Sequence, residues 1–344
     1  NIDFTFTLFD EAGNEEISKT QKNSSNQIIY YAPLKESCKS LSFISDNEKA
    51  GLVKNSDVLT LSLNASHKVN IKKLEVAGES VNTDKSVFID KWNIDYVVMG
   101  DEKIKDNSKV EFRFVLCDEA GNIEYDLSDD NIDDKDSITY YAPIENVFDD
   151  FRFESDNKVN NLARNGDTLT VSFTTTHPIN ISEAKINGIS ENTVISNYVY
   201  DNGKYSYSVK YIIKNDSDSY VFSDDNQIIS FDIKLDDDAG NKSCQKNEHS
   251  YDTDLDEVSQ VIYYAPLQTS ITNISIKSDN IKSNLVKNND IVTVNFTAGH
   301  PVDLHNVKIA GKNAQISSED NDRMHWTISY RINNNDIPDN TAIP

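Results

Sequence analysis

The residue types that could do chemistry recur along this chain at equivalent places. His67, His177 and His300 each close an alternating stretch and are followed by Val69, by Pro178 and Ile179, or by Pro301 and Val302. Histidine can ligate a metal or switch charge near neutral pH. No cysteine or second histidine recurs beside it to complete a zinc set, so the plainer reading is a loop histidine that caps a turn between two strands. Oxygen donors are more plentiful. Asp118-Glu119-Ala120-Gly121-Asn122 and Asp237-Asp238-Ala239-Gly240-Asn241 repeat a pattern first seen at Asp10-Glu11-Ala12-Gly13-Asn14. Calcium takes about six to eight oxygens in flexible geometry, which makes Asp118, Asn122, Asp237 and Asn241 candidate ligands. The competing reading closes the turn by hydrogen bonds to its own backbone, with Gly121 left-handed and no metal.

Two denser acidic runs lie further on. Asp126, Asp129, Asp130, Asp133, Asp134 and Asp136 form one; Asp252, Asp254, Asp256 and Glu257 form the other. The second run starts with acids at alternate positions, as an EF-hand does. Glu257 then stands where Gly or Asn is needed, and Tyr263 where the closing Glu should be. It is not an EF-hand; Asp252, Asp254 and Asp256 are candidates for a different calcium site, against a solvated acidic loop. Catalytic constellations are missing. There is no Gly-x-Ser-x-Gly elbow, no His-Glu-x-x-His and no phosphate-cradling glycine loop, so the expectation is a protein that is not an enzyme.

The elements that must position these residues are set by a repeat. Tyr30-Tyr31-Ala32-Pro33, Tyr140-Tyr141-Ala142-Pro143 and Tyr263-Tyr264-Ala265-Pro266 mark units whose prolines stand 110 and 123 residues apart. That period is too long for a solenoid and indicates tandem domains, each with its own core. Within each unit the hydrophobic period is that of a strand. Leu59, Leu61 and Leu63 alternate with polar residues, as do Leu169, Val171 and Phe173, and then Val292, Val294 and Phe296. A second strand ends at Gly78, Gly188 or Gly311, where a left-handed turn is expected. A third carries Trp92, Tyr207 or Trp326 as core anchors. A fourth runs through Phe112, Phe114 and Leu116, through Phe231, Ile233 and Leu235, and through Phe4, Phe6 and Leu8 at the start.

About seven strands in about 110 residues fit an all-β fold of tandem immunoglobulin-like antiparallel β-sandwiches. The expected domains are 34–143 and 144–266. Residues 1–33 supply the last two strands, F and G, of such a sandwich, and 267–344 supply strands A to E of another, so one repeat is split between the ends. Strand F ends at Asp118, and strand G delivers the Tyr-Tyr-Ala-Pro mark. The Asp-x-Ala-Gly-Asn turn and the histidine are expected at the pole that faces the preceding Ala-Pro linker.

The Asp-x-Ala-Gly-Asn turn closing an aromatic strand, the Asn-x-Asp turn before the Leu-Thr-Val-Ser-Phe type strand and the Ala-Pro linker together resemble the tandem bacterial immunoglobulin-like domains of large cell-surface adhesins and surface structural proteins. The resemblance spans the chain and implies an extracellular, cell-surface location. It implies a structural rod, fibre or surface layer, with an adhesin stalk or tip that binds a host or glycan receptor as the alternative. It also admits an autocatalytic Lys–Asn or Lys–Asp isopeptide bond, for which the sequence places no pair.

Composition agrees with that reading. Against 33 Lys and Arg stand 57 Asp and Glu, a net charge of −24 that repels nucleic acid and attracts cations. No stretch approaches the roughly 18 apolar residues of a membrane span, and any leader or anchor lies outside this segment. Three cysteines make no disulfide framework, although a Cys38–Cys117 bridge at one pole is compatible with their strands. Seven Asn-x-Ser/Thr sequons, at Asn23, Asn64, Asn180, Asn215, Asn241, Asn273 and Asn295, permit glycosylation. The split repeat has two readings. Neighbouring copies could complete each other head to tail, or flanking repeats of a longer chain could do so.

Overall fold

The structure is a computed structural model of the 344-residue chain. It describes all residues except 1–4, 20–27, 85, 101–102, 123–124, 129–136, 160, 215–221, 223, 247–259, 319–320, 334–337 and 339–344. Two compact units divide it: Asn1–Val147 with Asp238–Asn241, and Phe148–Asp237 with Lys242–Pro344.

The first unit opens on an antiparallel hairpin, β1 (Thr5–Phe9) and β2 (Glu15–Lys19). After the first mark, Pro33 starts a one-turn helix, α1 (Leu34–Ser37), because its fixed φ suits a helix entry. A sandwich follows, built of β3 (Cys38–Ser45), β4 (Leu52–Val53), β5 (Val58–Val76), β6 (Glu79–Ser80), β7 (Ile89–Val97), β8 (Ser108–Lys109), β9 (Phe112–Asp118), β10 (Tyr125–Ser128) and β11 (Thr139–Tyr140). β5 is long enough to serve both sheets. Its first part pairs with β3 and β7, and its second with β9. Between the sheets lies a core in which Phe43 and Phe112 meet at 4.9 Å and Trp92 donates its indole hydrogen to the Val69 carbonyl at 3.0 Å.

The second unit holds a sandwich of β12 (Phe148–Ser155), β13 (Leu162–Ala163), β14 (Thr168–Thr175), β15 (Ile179–Ile186), β16 (Val194–Asp201), β17 (Lys204–Ile212), β18 (Gln227–Ile228), β19 (Phe231–Asp237), β20 (Lys242–Lys246) and β21 (Ile262–Tyr263). One sheet runs β12-β14-β17-β16 and the other β15-β19-β20. Here the long strand is broken between β14 and β15 at His177-Pro178. Proline removes a ladder donor, and Lys68 stands at the same place in the unbroken β5. The fold is therefore all-β, with immunoglobulin-like antiparallel sandwiches.

Strand G differs from the expectation. β10 pairs with β9 directly after the Asp118 turn, whereas β11, which carries the mark, pairs parallel with β4 and antiparallel with β8. The second repeat does the same with β20 and β21. The acidic runs therefore fall between the two pieces of strand G, not in the connection from F to G. Asp126 itself lies in β10, paired with Arg113, while Asp129, Asp130, Asp133, Asp134 and Asp136 lie outside the described residues, as do Asp252, Asp254, Asp256 and Glu257.

After the last mark come a one-turn helix, α2 (Leu267–Ser270), and β22 (Ile271–Ser278), β23 (Ile291–Ala298), β24 (Lys308–Ile309), β25 (Lys312–Asn313), β26 (Gln315–Ser318) and β27 (His325–Arg331). One full sheet forms, β22-β23-β27-β26. Residues 302–307 carry the Val302, Leu304, Val307 spacing of the strand that pairs with β9 or β19 elsewhere, yet form no strand. Among the described residues this sandwich has no counterpart to those partners. Its buried core is correspondingly small, comprising Val292, Ile309, Ile328 and Ile332.

Cys38 and Cys117 are free thiols, not the bridge their strands allow; the Cys117 sulfur faces the Asn70 side-chain oxygen at 3.9 Å. Among the described residues no helix is long and apolar enough to cross a membrane.

Candidate functional site

The recurring polar residues converge on the linker that enters each sandwich. In the first sandwich the turn after β9 closes on Asp118, whose carboxylate accepts the Asn122 backbone N–H at 3.0 Å and its side-chain amide at 2.6 Å. Gly121 supplies the left-handed step at φ 79°. The Asn122 amide also donates to the linker carbonyls of Tyr31, at 3.4 Å, and Ala32, at 3.2 Å. One asparagine thus ties its own turn to the incoming chain.

His67 completes the latch. Its Nε2 lies 3.1 Å from Oδ2 of Asp118, the oxygen that also accepts the Asn122 side-chain amide, and its Nδ1 lies 3.1 Å from the Ser37 hydroxyl, which is equally close to the Pro33 carbonyl. A carboxylate only accepts, so Nε2 carries the hydrogen. Tyr31 lies over the imidazole with ring centroids 4.2 Å apart. The histidine does not simply cap its own turn, as the sequence suggests; it joins the linker, the helix after it and the turn of a distant strand. Burial works to raise the Asp118 pKa. The hydrogen bonds from the Asn122 side chain and backbone, and then from His67, outweigh it and hold the carboxyl below its usual range.

The same residue types recur in the second repeat. His177 is fully buried with Nε2 3.1 Å from Asp237. Asn241 donates to the Tyr141 and Ala142 carbonyls at 3.4 and 3.3 Å. Val147 replaces Ser37 at the end of the short 3-10 turn Ile144–Asn146.

The third joint adds a carboxylate from the loop before its mark, as Asp106 stands before the second mark and accepts the Ala142 N–H at 2.7 Å. Tyr264 stacks on His300 at 4.2 Å, and Ser270 approaches Nδ1 at 3.2 Å, as Ser37 does in the first. The carboxylate beside His300, however, is Asp225, 2.8 Å from the same Nδ1 through both oxygens. Asp225 also accepts the Ser270 hydroxyl and the Ala265 N–H. Burial again pushes its pKa up, and those bonds, with His300, bring it below normal. Nε2 of His300 meets no hydrogen-bond partner among the described residues.

The two tyrosines of each mark divide their work. Tyr140 and Tyr263 turn back into the sandwich they end, donating to Asn55 at 2.6 Å and Asn165 at 2.7 Å. The second tyrosine, seen at Tyr31 and Tyr264, stacks on the histidine of the sandwich that follows. Sequence reading found the histidine, the turn and the mark. It missed Ser37, Ser270 and Asp225, whose roles depend on residues 30 to 75 positions away.

As calcium ligands these residues fit poorly. N–H donors from Asn122 and His67 already point at the Asp118 oxygens, where a cation would need bare lone pairs. Asp237 faces His177 in the same way, and Asn241 turns its amide hydrogens to the linker. Among the described residues no three His, Cys, Asp or Glu side chains gather closely enough to hold a metal. Asp252, Asp254 and Asp256 lie outside the described residues.

No family model matches the chain, and no curated protein matches it. Among solved structures, it is similar to the I-band fragment I67-I69 from titin at 8% identity and a TM-score of 0.36, over 85% of this chain and 89% of that one. It is also similar to the Bacteroides ovatus mixed-linkage glucan utilization locus protein SGBP-B, in complex with a mixed-linkage heptasaccharide, at 11% identity and a TM-score of 0.19. That match covers 89% of this chain and 60% of the other.

Proposed function

We propose that this chain is part of an extracellular, non-enzymatic array of immunoglobulin-like domains, a structural rod, fibre or surface layer whose neighbours meet end to end. The observation that carries this reading is the joint. The polar residues that recur from repeat to repeat, His67, Asp118 and Asn122, are engaged with one another and with Tyr31, Ala32 and Ser37. Groups held in such a closed network serve position more readily than turnover. A spacer needs its linkers fixed, and each latch fixes one.

Hydrogen exchange across residues 31–37 tests the reading. Slow exchange that becomes fast in Asn122→Ala supports a clamped joint. Equal exchange in parent and variant refutes it.

A second reading, adhesion, is favoured by one surface. The β16–β17 hairpin shows exposed Tyr198 and Tyr200, with Tyr200 4.7 Å from Tyr205 and Tyr198 5.2 Å from Tyr205. Tyrosine rings with their hydroxyls outward can stack on sugar faces. Retardation of the protein in polysaccharide gels, abolished by Tyr200→Ala, would establish that role.

A further inference from the structure

The third sandwich and the β1–β2 hairpin carry complementary halves of the same structure. In the two complete sandwiches the inward residue on the first strand is covered: Phe43 is 2% exposed and Phe153 1%. What covers them is the strand before the Asp turn, through Phe43–Phe112 at 4.9 Å and Phe153–Phe231 at 5.2 Å. Ile276 holds that position on β22 and is 52% exposed.

The hairpin shows the opposite deficit. Phe6 and Leu8 correspond to Phe114 and Leu116 and to Ile233 and Leu235. Phe114 is fully buried, whereas Phe6 is 45% exposed. The hairpin has the register of its counterpart. Phe6 faces Ser18 and Leu8 faces Glu16, as Ile233 faces Gln245 and Leu235 faces Ser243, the partners standing 12 and 8 positions apart in both. Its turn is already set for a latch. Asp10 accepts the Asn14 N–H at 2.8 Å and the Asn14 amide at 2.6 Å, as Asp118 does from Asn122.

We infer that the hairpin of a second copy of this chain docks on the third sandwich, adding β1 beside residues 302–307 and closing the latch at His300. The inference rests on the array reading and names its partner. Asp10 of the incoming copy meets Nε2 of His300, where Asp118 meets His67 and Asp237 meets His177. The imidazole then carries both ring hydrogens, one for each carboxylate. Asn14 donates to the Tyr264 and Ala265 carbonyls. Tyr30, now 67% exposed, turns its hydroxyl to Asn288, the equivalent of Asn55 and Asn165. The occupant is chosen on this complementarity. Apolar face, turn and mark match what covers the other two sandwiches and the register matches that of the second, and the contact is heterologous, so it extends to further copies in a filament or a ring.

Sedimentation of the 344-residue protein over a concentration series tests the inference, with Phe6→Glu and Ile276→Glu as variants. Phe6 is 45% exposed and Ile276 52%, and the melting temperature of each variant checks that the single chain still folds. The parent is expected to grow in whole-chain steps. Each variant alone should weaken association by about 100-fold or more, since a charge is forced into an apolar contact. An equimolar mixture of the two variants should yield dimers that grow no further, because one variant keeps a sound hairpin and the other a sound acceptor. A parent that is monomeric at every concentration overturns the second copy as occupant and leaves a neighbouring repeat of the same chain to fill the face. Variants that associate as the parent does overturn the docking site. Neither result touches hydrogen exchange at residues 31–37, so the array reading stands or falls separately.

Discussion

The ring of Tyr31 lies on that of His67 with centroids 4.2 Å apart, and the same spacing recurs between Tyr264 and His300. In each pair the tyrosine comes from the end of one repeat and the histidine from the middle of the next, so the stack links successive repeats through the linker. Replacing His67 by alanine removes the stack and the contacts to Asp118 and Ser37 together. The expected loss is about 1–3 kcal/mol, because Asp118 is left buried with one partner fewer. Protease should then cut near Ala32-Pro33 faster than in the parent. An unchanged cleavage rate there would show that the stack holds nothing.

Acid should weaken the same joint. The folded pKa of Asp118 is depressed, so its contribution is fully present above the ordinary carboxylate pKa and is lost as pH falls through the depressed value. Asp225 is depressed in the same sense at the third joint. Melting temperature should therefore be nearly flat above about pH 5 and fall below about pH 4. Asp118→Asn should be less stable at neutral pH and show a shallower acid limb. An acid limb of the same steepness in that variant would assign the effect to other carboxylates.

Much of the sandwich was legible in the sequence because burial has a simple period. Phe112, Phe114 and Leu116 recur at every second position, and all three are buried in β9 while Arg113 and Val115 between them are not. The recurrence of His67 and of the Asp118 turn could likewise be read, and so could their place at the linker. What they do there could not be read, since Ser37 and Asp118 lie 30 and 51 residues from His67 and no local pattern links them. The division of strand G was hidden for a different reason. An acidic run after a turn has the composition of a loop wherever it falls, and only the pairing of β10 with β9 and of β11 with β4 shows that paired strands stand on both sides of it in sequence. The continuity of β5 turned on one residue, Lys68 in place of proline.

Chelation should leave the first joint unchanged. The Asp118 oxygens accept from Asn122 and lie beside His67, so removal of calcium breaks no contact there. Hydrogen exchange at residues 31–37 and 118–122 should be the same with and without chelator. Faster exchange after chelation would mean that an ion, and not the Asn122 amide, closes the turn. Chelator effects confined to residues 129–136 or 247–259 would instead locate a cation in the acidic runs.

The two tryptophans should report opposite environments. Trp92 is buried and its indole donates to the Val69 carbonyl at 3.0 Å, so Trp92→Ala should cost about 3–5 kcal/mol in the first sandwich. Trp326 occupies the same place in the third repeat but is only partly covered, and its indole bonds to Arg323 close by in sequence. In dilute protein with Trp92→Phe, emission from Trp326 should be red-shifted and readily quenched by acrylamide. With rising concentration it should move to the blue as a second copy's hairpin covers the sheet. In the doubly changed chain with Phe6→Glu as well, that movement should disappear. A blue shift that survives Phe6→Glu would mean that the face is covered by something other than the hairpin.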